Sequence, residues 1–178
     1  VSRKLLDVHG IKTRLVAYHD HNAEIAGPPL LDRLAAGERI ALISDAGTPL
    51  ISDPGYRLVN RCHELGIPVV PIPGASSVVS LLSVAGLPTD RFYFLGFLPT
   101  RATQIDNVIA EIRAIRATIV FMESPRRLSA TLRQLAVWLG ARETVVGREL
   151  TKKFEELRRG TLMDLAIHYA EAGPPKGE

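Results

Sequence analysis

Short apolar blocks rich in Val and Ile alternate with amphipathic stretches that end in glycine, and this alternation constrains the fold more than any other feature. Blocks such as Ile40-Ala41-Leu42-Ile43 are too short for a buried helix and too uniformly apolar for a strand with one wet face. They suit strands of a mostly parallel sheet covered on both sides by the intervening helices. Strands are expected near 13–18, 39–44, 68–72, 92–96, 118–122 and 144–149. Helices are expected over 1–9, about 29–36, 54–65, 76–86, 104–115, 126–139 and 161–172. Gly10, Gly37, Gly66, Gly140 and Gly173 stand where helices end. At Gly86-Leu87-Pro88-Thr89-Asp90 a helix ends and a proline stops it, which divides the chain into two αβα domains, 1–89 and 90–178.

The 178 residues can bury a sizeable core, and no apolar run approaches the roughly 20 residues of a membrane helix. The single cysteine, Cys62, lies in a helical pattern and reads as structural, so the chain fits a reducing compartment. A soluble, cytoplasmic protein is expected. The net charge of +3 hides a division: residues 1–90 hold 8 basic against 9 acidic side chains, residues 91–178 hold 14 against 10. The basic pairs Arg126-Arg127, Lys152-Lys153 and Arg158-Arg159 fall in the second half, where they form either a phosphate-facing rim or a solvated surface.

The segment Ser44-Asp45-Ala46-Gly47-Thr48-Pro49-Leu50 leaves an expected strand and leads towards a helix, the position where open α/β sheets bind ligands. Ala46 and Gly47 allow close approach to the backbone, Ser44 and Thr48 carry hydroxyls, and Pro49 stiffens the turn. Asp53 before Pro54 reads as the N-cap of the next helix, leaving little room for a phosphate there. The Gly-x-Gly-x-x-Gly and Gly-Lys-Ser/Thr fingerprints are absent. A second loop, Pro73-Gly74-Ala75-Ser76-Ser77, has the same character, with Ser76 or Ser77 available to cap a helix. Two such loops from neighbouring strands could line one cleft.

Three further segments carry polar chemistry. His19-Asp20-His21-Asn22 lacks the additional ligands of a stable metal site; Asn22 is expected to cap or turn the chain while one imidazole faces a cleft. Glu123, with Arg126 and Arg127, follows an expected strand, where a carboxylate could take a proton and the arginines could meet phosphates. Gly147-Arg148-Glu149-Leu150-Thr151-Lys152-Lys153 is another charged cluster after a strand.

Together, Tyr18-His19-Asp20-His21-Asn22, Ser44 to Pro49 with Ser52-Asp53-Pro54-Gly55, Pro73-Gly74, Gly86 to Phe92, Gly96-Phe97-Leu98-Pro99, Glu123-Ser124 with Arg127-Leu128, and Arg148 to Lys152 resemble the ribosomal RNA small subunit methyltransferase I family, a branch of the tetrapyrrole methylase superfamily. The resemblance runs over nearly the whole chain. It implies a two-domain, class III methyltransferase with S-adenosyl-L-methionine between the domains, usually a homodimer, that methylates the ribose 2′-hydroxyl of a cytidine in small-subunit ribosomal RNA. It places the donor on Ser44, Asp45, Ala46, Gly47, Thr48, Leu50, Gly74, Ala75 and Ser76, with Met122 near the adenosine. Gly47-Thr48-Pro49 stands where the superfamily is similar in having Gly-Asp-Pro.

Against that family the chain lacks an initial strand with a Pro-Ile-Gly-Asn-Leu loop and a final strand after Lys176-Gly177-Glu178, so a fragment is expected. Under this reading Glu123 or His19 is the base, and Arg126, Arg127, Lys152 and Lys153 bind RNA phosphates without any metal. The alternatives are methylation of a small tetrapyrrole on the same scaffold and a non-catalytic RNA-binding assembly factor.

Overall fold

The computed structural model describes residues 2–178. The chain divides into two compact units, the first ending at Ser76 and the second running over Ser77–Glu178. This boundary lies upstream of the proline-marked break at 86–90. The reason is that the helix before that break is tied to the later half: Gly86 O accepts a hydrogen bond from Arg159 Nη1 (3.2 Å), and Leu81 fills the space in front of Gly147.

The first unit holds α1 (Ser2–Val8), α2 (Ala23–Ala35) and α3 (Tyr56–Glu64), with α2 against α3. Ala23, Gly27 and Leu30 make the buried stripe of α2, and Leu58 and Cys62 that of α3. Burial pushes the Cys62 thiol up from its ordinary range. The strands expected at 13–18, 39–44 and 68–72 are not formed; these segments run without ladder hydrogen bonds and are largely exposed, Ile72 to 84%. Val and Ile content marks a preference for a packed, pleated surface, and a strand gains its hydrogen bonds only from a neighbour laid alongside it. None of the three is paired.

Helix α2 begins at Ala23, six residues before the expected start, and carries Pro28 and Pro29 inside it. Each proline removes one ladder hydrogen bond, and the buried stripe from Ala23 to Leu30 spans the interruption. Helix α3 starts after Gly55, whose φ of 141° suits glycine, and no side chain caps it. Asp53 is therefore not the N-cap, and the argument against a phosphate at that helix end loses its premise. Only the missing fingerprints still speak against one.

The second unit contains α4 (Ser77–Ala85), β1 (Phe92–Phe97), α5 (Ala102–Ile112), β2 (Thr118–Met122), α6 (Leu128–Leu139), β3 (Glu143–Arg148), β4 (Glu156–Thr161) and α7 (Leu162–Glu171). Strands β1 and β2 are parallel from Phe92 opposite Thr118, and the register shifts between Phe94 and Phe97, around Gly96 at φ 66°. Strands β3 and β4 form an antiparallel pair from Glu143 opposite Thr161 to Arg148 opposite Glu156. The sheets are thus mixed. Strand β4 has no counterpart among the expected elements because Glu-Leu-Arg-Arg-Gly-Thr carries too little apolar signal. The core joins Ile105 and Ile109 of α5, Leu128, Leu132 and Leu135 of α6, and Leu162, Leu165, Ala166 and Tyr169 of α7.

Thr161 and Asp164 form a reciprocal capping box at the start of α7: Asp164 N donates to Thr161 Oγ1 (3.2 Å), and Thr161 N to Asp164 Oδ2 (3.1 Å). Hydrogen bonds from the Thr161 hydroxyl and amide hold the Asp164 carboxyl below its ordinary value. The contribution of this ionised cap is present above the ordinary carboxylate value and is lost as pH falls through the lowered one. Thr161→Ala should cost about 1 kcal/mol in urea denaturation near neutral pH, with a smaller difference in acid.

Candidate functional site

In the first unit the two small-residue loops meet. Thr48 Oγ1 donates to the carbonyl of Ala75 (3.0 Å), so the loop at 44–51 and the loop at 73–77 are tied by a side chain of one and the backbone of the other. The Ser44 hydroxyl turns back onto Ala46 O (2.5 Å), which tightens the first loop. Asp45 accepts hydrogen bonds from the Ser2 hydroxyl and amide, which hold its carboxyl below the usual range. A Cβ built on Gly47 or Gly74 would meet nothing within 4 Å, so both glycines border open space.

The conformation of this loop is unusual. Gly47 (φ 68°), Leu50 (71°), Ser52 (59°) and Gly55 (141°) all hold positive φ, and the two non-glycine residues carry strain that characteristically collects at ligand sites. A Cβ on Gly55 would stand 2.7 Å from Leu50 Cδ1 and 2.8 Å from Leu42 Cδ2, so a close approach as well as φ requires glycine there. No pattern in the sequence announces the left-handed Leu50 or Ser52. The Ser44 and Thr48 hydroxyls are spent on Ala46 O and Ala75 O, so what these loops leave open is backbone bordered by Gly47 and Gly74.

Asn22 turns the chain rather than capping α2: its Oδ1 accepts from His19 N (2.8 Å) and its Nδ2 donates to Ala17 O (3.0 Å). The His19 ring is exposed, with its centroid 6.1 Å from that of His21, and makes no hydrogen bond among the described residues. No three His, Cys, Asp or Glu side chains converge on one point among those residues.

In the second unit Glu123 follows β2 directly, and its carboxylate is only 4% exposed. Oε1 accepts from Ser124 N (2.7 Å), Oε2 from the Thr131 hydroxyl (2.8 Å), and the Arg127 guanidinium lies 3.3 Å from Oε2. Arg127 also donates to the carbonyls of Leu98 and Pro99, linking the ends of β1 and β2 to α6. With three partners and 4% exposure, this carboxylate is directed into the protein and offers little of itself to a substrate. Met122 is half-buried at the end of β2, opposite Phe97. Thr100, Ile105, Arg127, Ala130, Thr131 and Gln134 line a recess of about 160 Å³ beside this turn.

The four cations expected to face phosphates separate into two kinds. Arg126 and Lys153 are exposed and pair with no carboxylate among the described residues, whereas Arg127 is committed to Glu123 and Lys152 to Glu149 (3.0 Å) and Glu178 (2.6 Å). Those two carboxylates hold the Lys152 ammonium above its ordinary range. The Arg159 guanidinium is likewise paired with Glu143, and that of Arg158 with Glu156. Linear sequence marks positive charge but not its compensation in space.

These features define a mixed α/β chain with a strained, open loop of small residues. The chain belongs to the tetrapyrrole methylase family: the model of the Tetrapyrrole (Corrin/Porphyrin) Methylases matches residues 3–166. Within that family it is similar to the protein named Ribosomal RNA small subunit methyltransferase I in several bacteria. It is 54% identical to that of Mesorhizobium japonicum over 100% of this chain and 61% of the relative. The identity is 48% for Halalkalibacterium halodurans, over 99% of this chain and 61% of the relative, and 46% for Escherichia coli O157:H7, over 94% and 59%. The chain thus spans about three-fifths of the length of these relatives. No helix among the described residues is long and apolar enough to cross a membrane.

Proposed function

We propose that the full-length protein is an S-adenosyl-L-methionine-dependent methyltransferase acting on the 2′-hydroxyl of a cytidine in small-subunit ribosomal RNA. The observation that carries the donor assignment is the hydrogen bond from Thr48 to Ala75, which makes one cradle of two small-residue loops with open space at Gly47 and Gly74. The acceptor assignment rests on the relatives' names and on the basic surplus of the second half. The working enzyme is read as a cytoplasmic homodimer of two αβα domains, with Met122 contributing to the adenosine site.

When bound, S-adenosyl-L-methionine supplies an electrophilic methyl group on a sulfonium centre. The protein's own task is to hold the donor against the backbone of 44–50 and 74–76 and to keep water from competing with the acceptor oxygen. The acceptor must also lose a proton. Of the two candidate bases, His19 has an exposed imidazole that makes no hydrogen bond among the described residues, whereas the Glu123 carboxylate is 4% exposed and held by three partners of the protein. We therefore assign proton transfer to His19 and treat Glu123 as the group that positions Arg127 and the β2–α6 turn.

Radiolabelled methyl transfer to small ribosomal subunits, with mass mapping of the modified nucleotide, tests this reading on the full-length protein. Transfer to a small tetrapyrrole instead would move the acceptor class, and RNA binding without donor binding would leave an assembly factor. Arg126→Ala should flatten the slope of log RNA affinity against log salt by about 0.7 to 0.9, with calorimetric donor affinity unchanged. An unaltered slope would remove Arg126 from the interface.

A further inference from the structure

Outside the donor loop, positive φ at non-glycine residues recurs at one other place among the described residues, Glu149 (50°) and Thr151 (64°), in the connection between β3 and β4. This loop is clasped by the segment 176–178. Glu149 N donates to Glu178 O (2.7 Å), Glu178 N donates to Glu149 Oε1 (3.0 Å), and Arg148 Nη1 donates to Lys176 O (2.6 Å). A Cβ on Gly177, which lies at φ 97°, would stand 2.5 Å from the Glu149 carboxylate, so a side chain there would have to push that carboxylate out of the clasp. The hydrogen bond from the Glu178 amide and the Lys152 ammonium hold the Glu149 carboxyl below its ordinary range.

The clasp uses up nearly every charge around it. Glu149 and Glu178 take Lys152, Glu155 accepts from Thr151 N (2.6 Å), and Glu156 takes Arg148 and Arg158. Among the described residues, the groups left without an ion-pair partner are the exposed ammonium of Lys153, 5.6 Å from the ring centroid of Phe154, that of Lys176, and the carboxylate of Glu155, which a backbone amide holds. Phe154 itself is 66% exposed. A strained loop, locked by a dedicated clasp, therefore presents an exposed aromatic ring with the ammonium of Lys153 free beside it, while the neighbouring Glu155 carboxylate is turned onto the Thr151 amide.

We propose that this loop is an RNA contact in which Phe154 stacks on a base, Lys153 meets a phosphate, and Lys152 is the cation that closes the clasp. The ligand chemistry is that of a single-stranded nucleic acid, which offers a π-face and an adjacent anion together. The inference rests on the RNA reading given above. An apolar peptide would match the ring but not the charge beside it.

The test uses the full-length protein, a short polycytidylate oligonucleotide for binding, and small ribosomal subunits for transfer. Phe154→Ala should weaken oligonucleotide binding about tenfold while leaving the salt slope and the calorimetric donor affinity unchanged. Phe154→Trp should restore binding. Lys153→Ala should lower the salt slope by about 0.7, whereas Lys152→Ala should chiefly speed amide exchange over 148–152. Wild-type affinity in Phe154→Ala overturns the proposal. So does a loss that tracks a changed oligomeric state and is not rescued by Trp, because Phe154 then packs against protein. If wild-type protein neither binds nor methylates RNA, the functional reading itself falls, a result distinguishable because it needs no variant.

Discussion

Gly47→Val in the full-length protein should weaken S-adenosyl-L-methionine binding by about a hundredfold, as measured by calorimetry. Gly47 lies in the left-handed region at φ 68°, and its missing side chain borders open space next to the Thr48–Ala75 hydrogen bond. A branched side chain there fills the volume a ligand would use; overpacking costs roughly 1–3 kcal/mol, and about 1.4 kcal/mol is a factor of ten in affinity. Any L-residue at this φ also pays roughly 1–2 kcal/mol of backbone strain, so Gly47→Ala is the matched control. It shares the strain but adds little bulk. Donor affinity should follow side-chain size, while thermal stability falls for both variants. Wild-type affinity in Gly47→Val would move the donor away from this loop.

Arg127→Ala should destabilise the protein by about 3 kcal/mol in denaturant unfolding, whereas the neighbouring Arg126→Ala should change stability by less than about 0.5 kcal/mol. The two arginines are adjacent but do different work. Arg127 is the cation facing a carboxylate that is 4% exposed and also holds the carbonyls of Leu98 and Pro99, so its removal strands Glu123 in a poorly solvated position. The figure sits at the low end for one-sided loss of a buried pair because the guanidinium remains 30% exposed and partly screened. Glu123→Gln should recover part of the loss in the Arg127→Ala background, since it removes the uncompensated charge. Equal stability of the two single variants would show that the Glu123 network contributes nothing to the fold.

The same pair shows where sequence reading reaches its limit. Two adjacent arginines after a strand look equivalent in one dimension, and the turn between β2 and α6 sends them to different surroundings, Arg127 onto Glu123 and Arg126 into solvent. Lys152 and Lys153 repeat the lesson, one locked by two carboxylates and the other exposed. Glu123 reads as a candidate base because a carboxylate after a strand is well placed to act on a ligand. Its occupied oxygens become visible only once Ser124, Thr131 and Arg127 are placed around it.

By itself the sequence determined the helices apart from the first six residues of α2, the strands β1, β2 and β3 of the second half, the two small-residue loops and the resemblance to one methylase family. All of these are written in local patterns: apolar period, glycines at turns and ordered short motifs. Tertiary structure alone decided that 13–18, 39–44 and 68–72 remain unpaired, that the charged segment Glu156–Thr161 becomes a strand, and that Gly177 closes against Glu149. The physical reason is that strand pairing, charge compensation and close backbone approach depend on what a residue meets from elsewhere in the chain. Composition and periodicity describe a residue's own preference and its nearest neighbours, and they carry no record of that meeting.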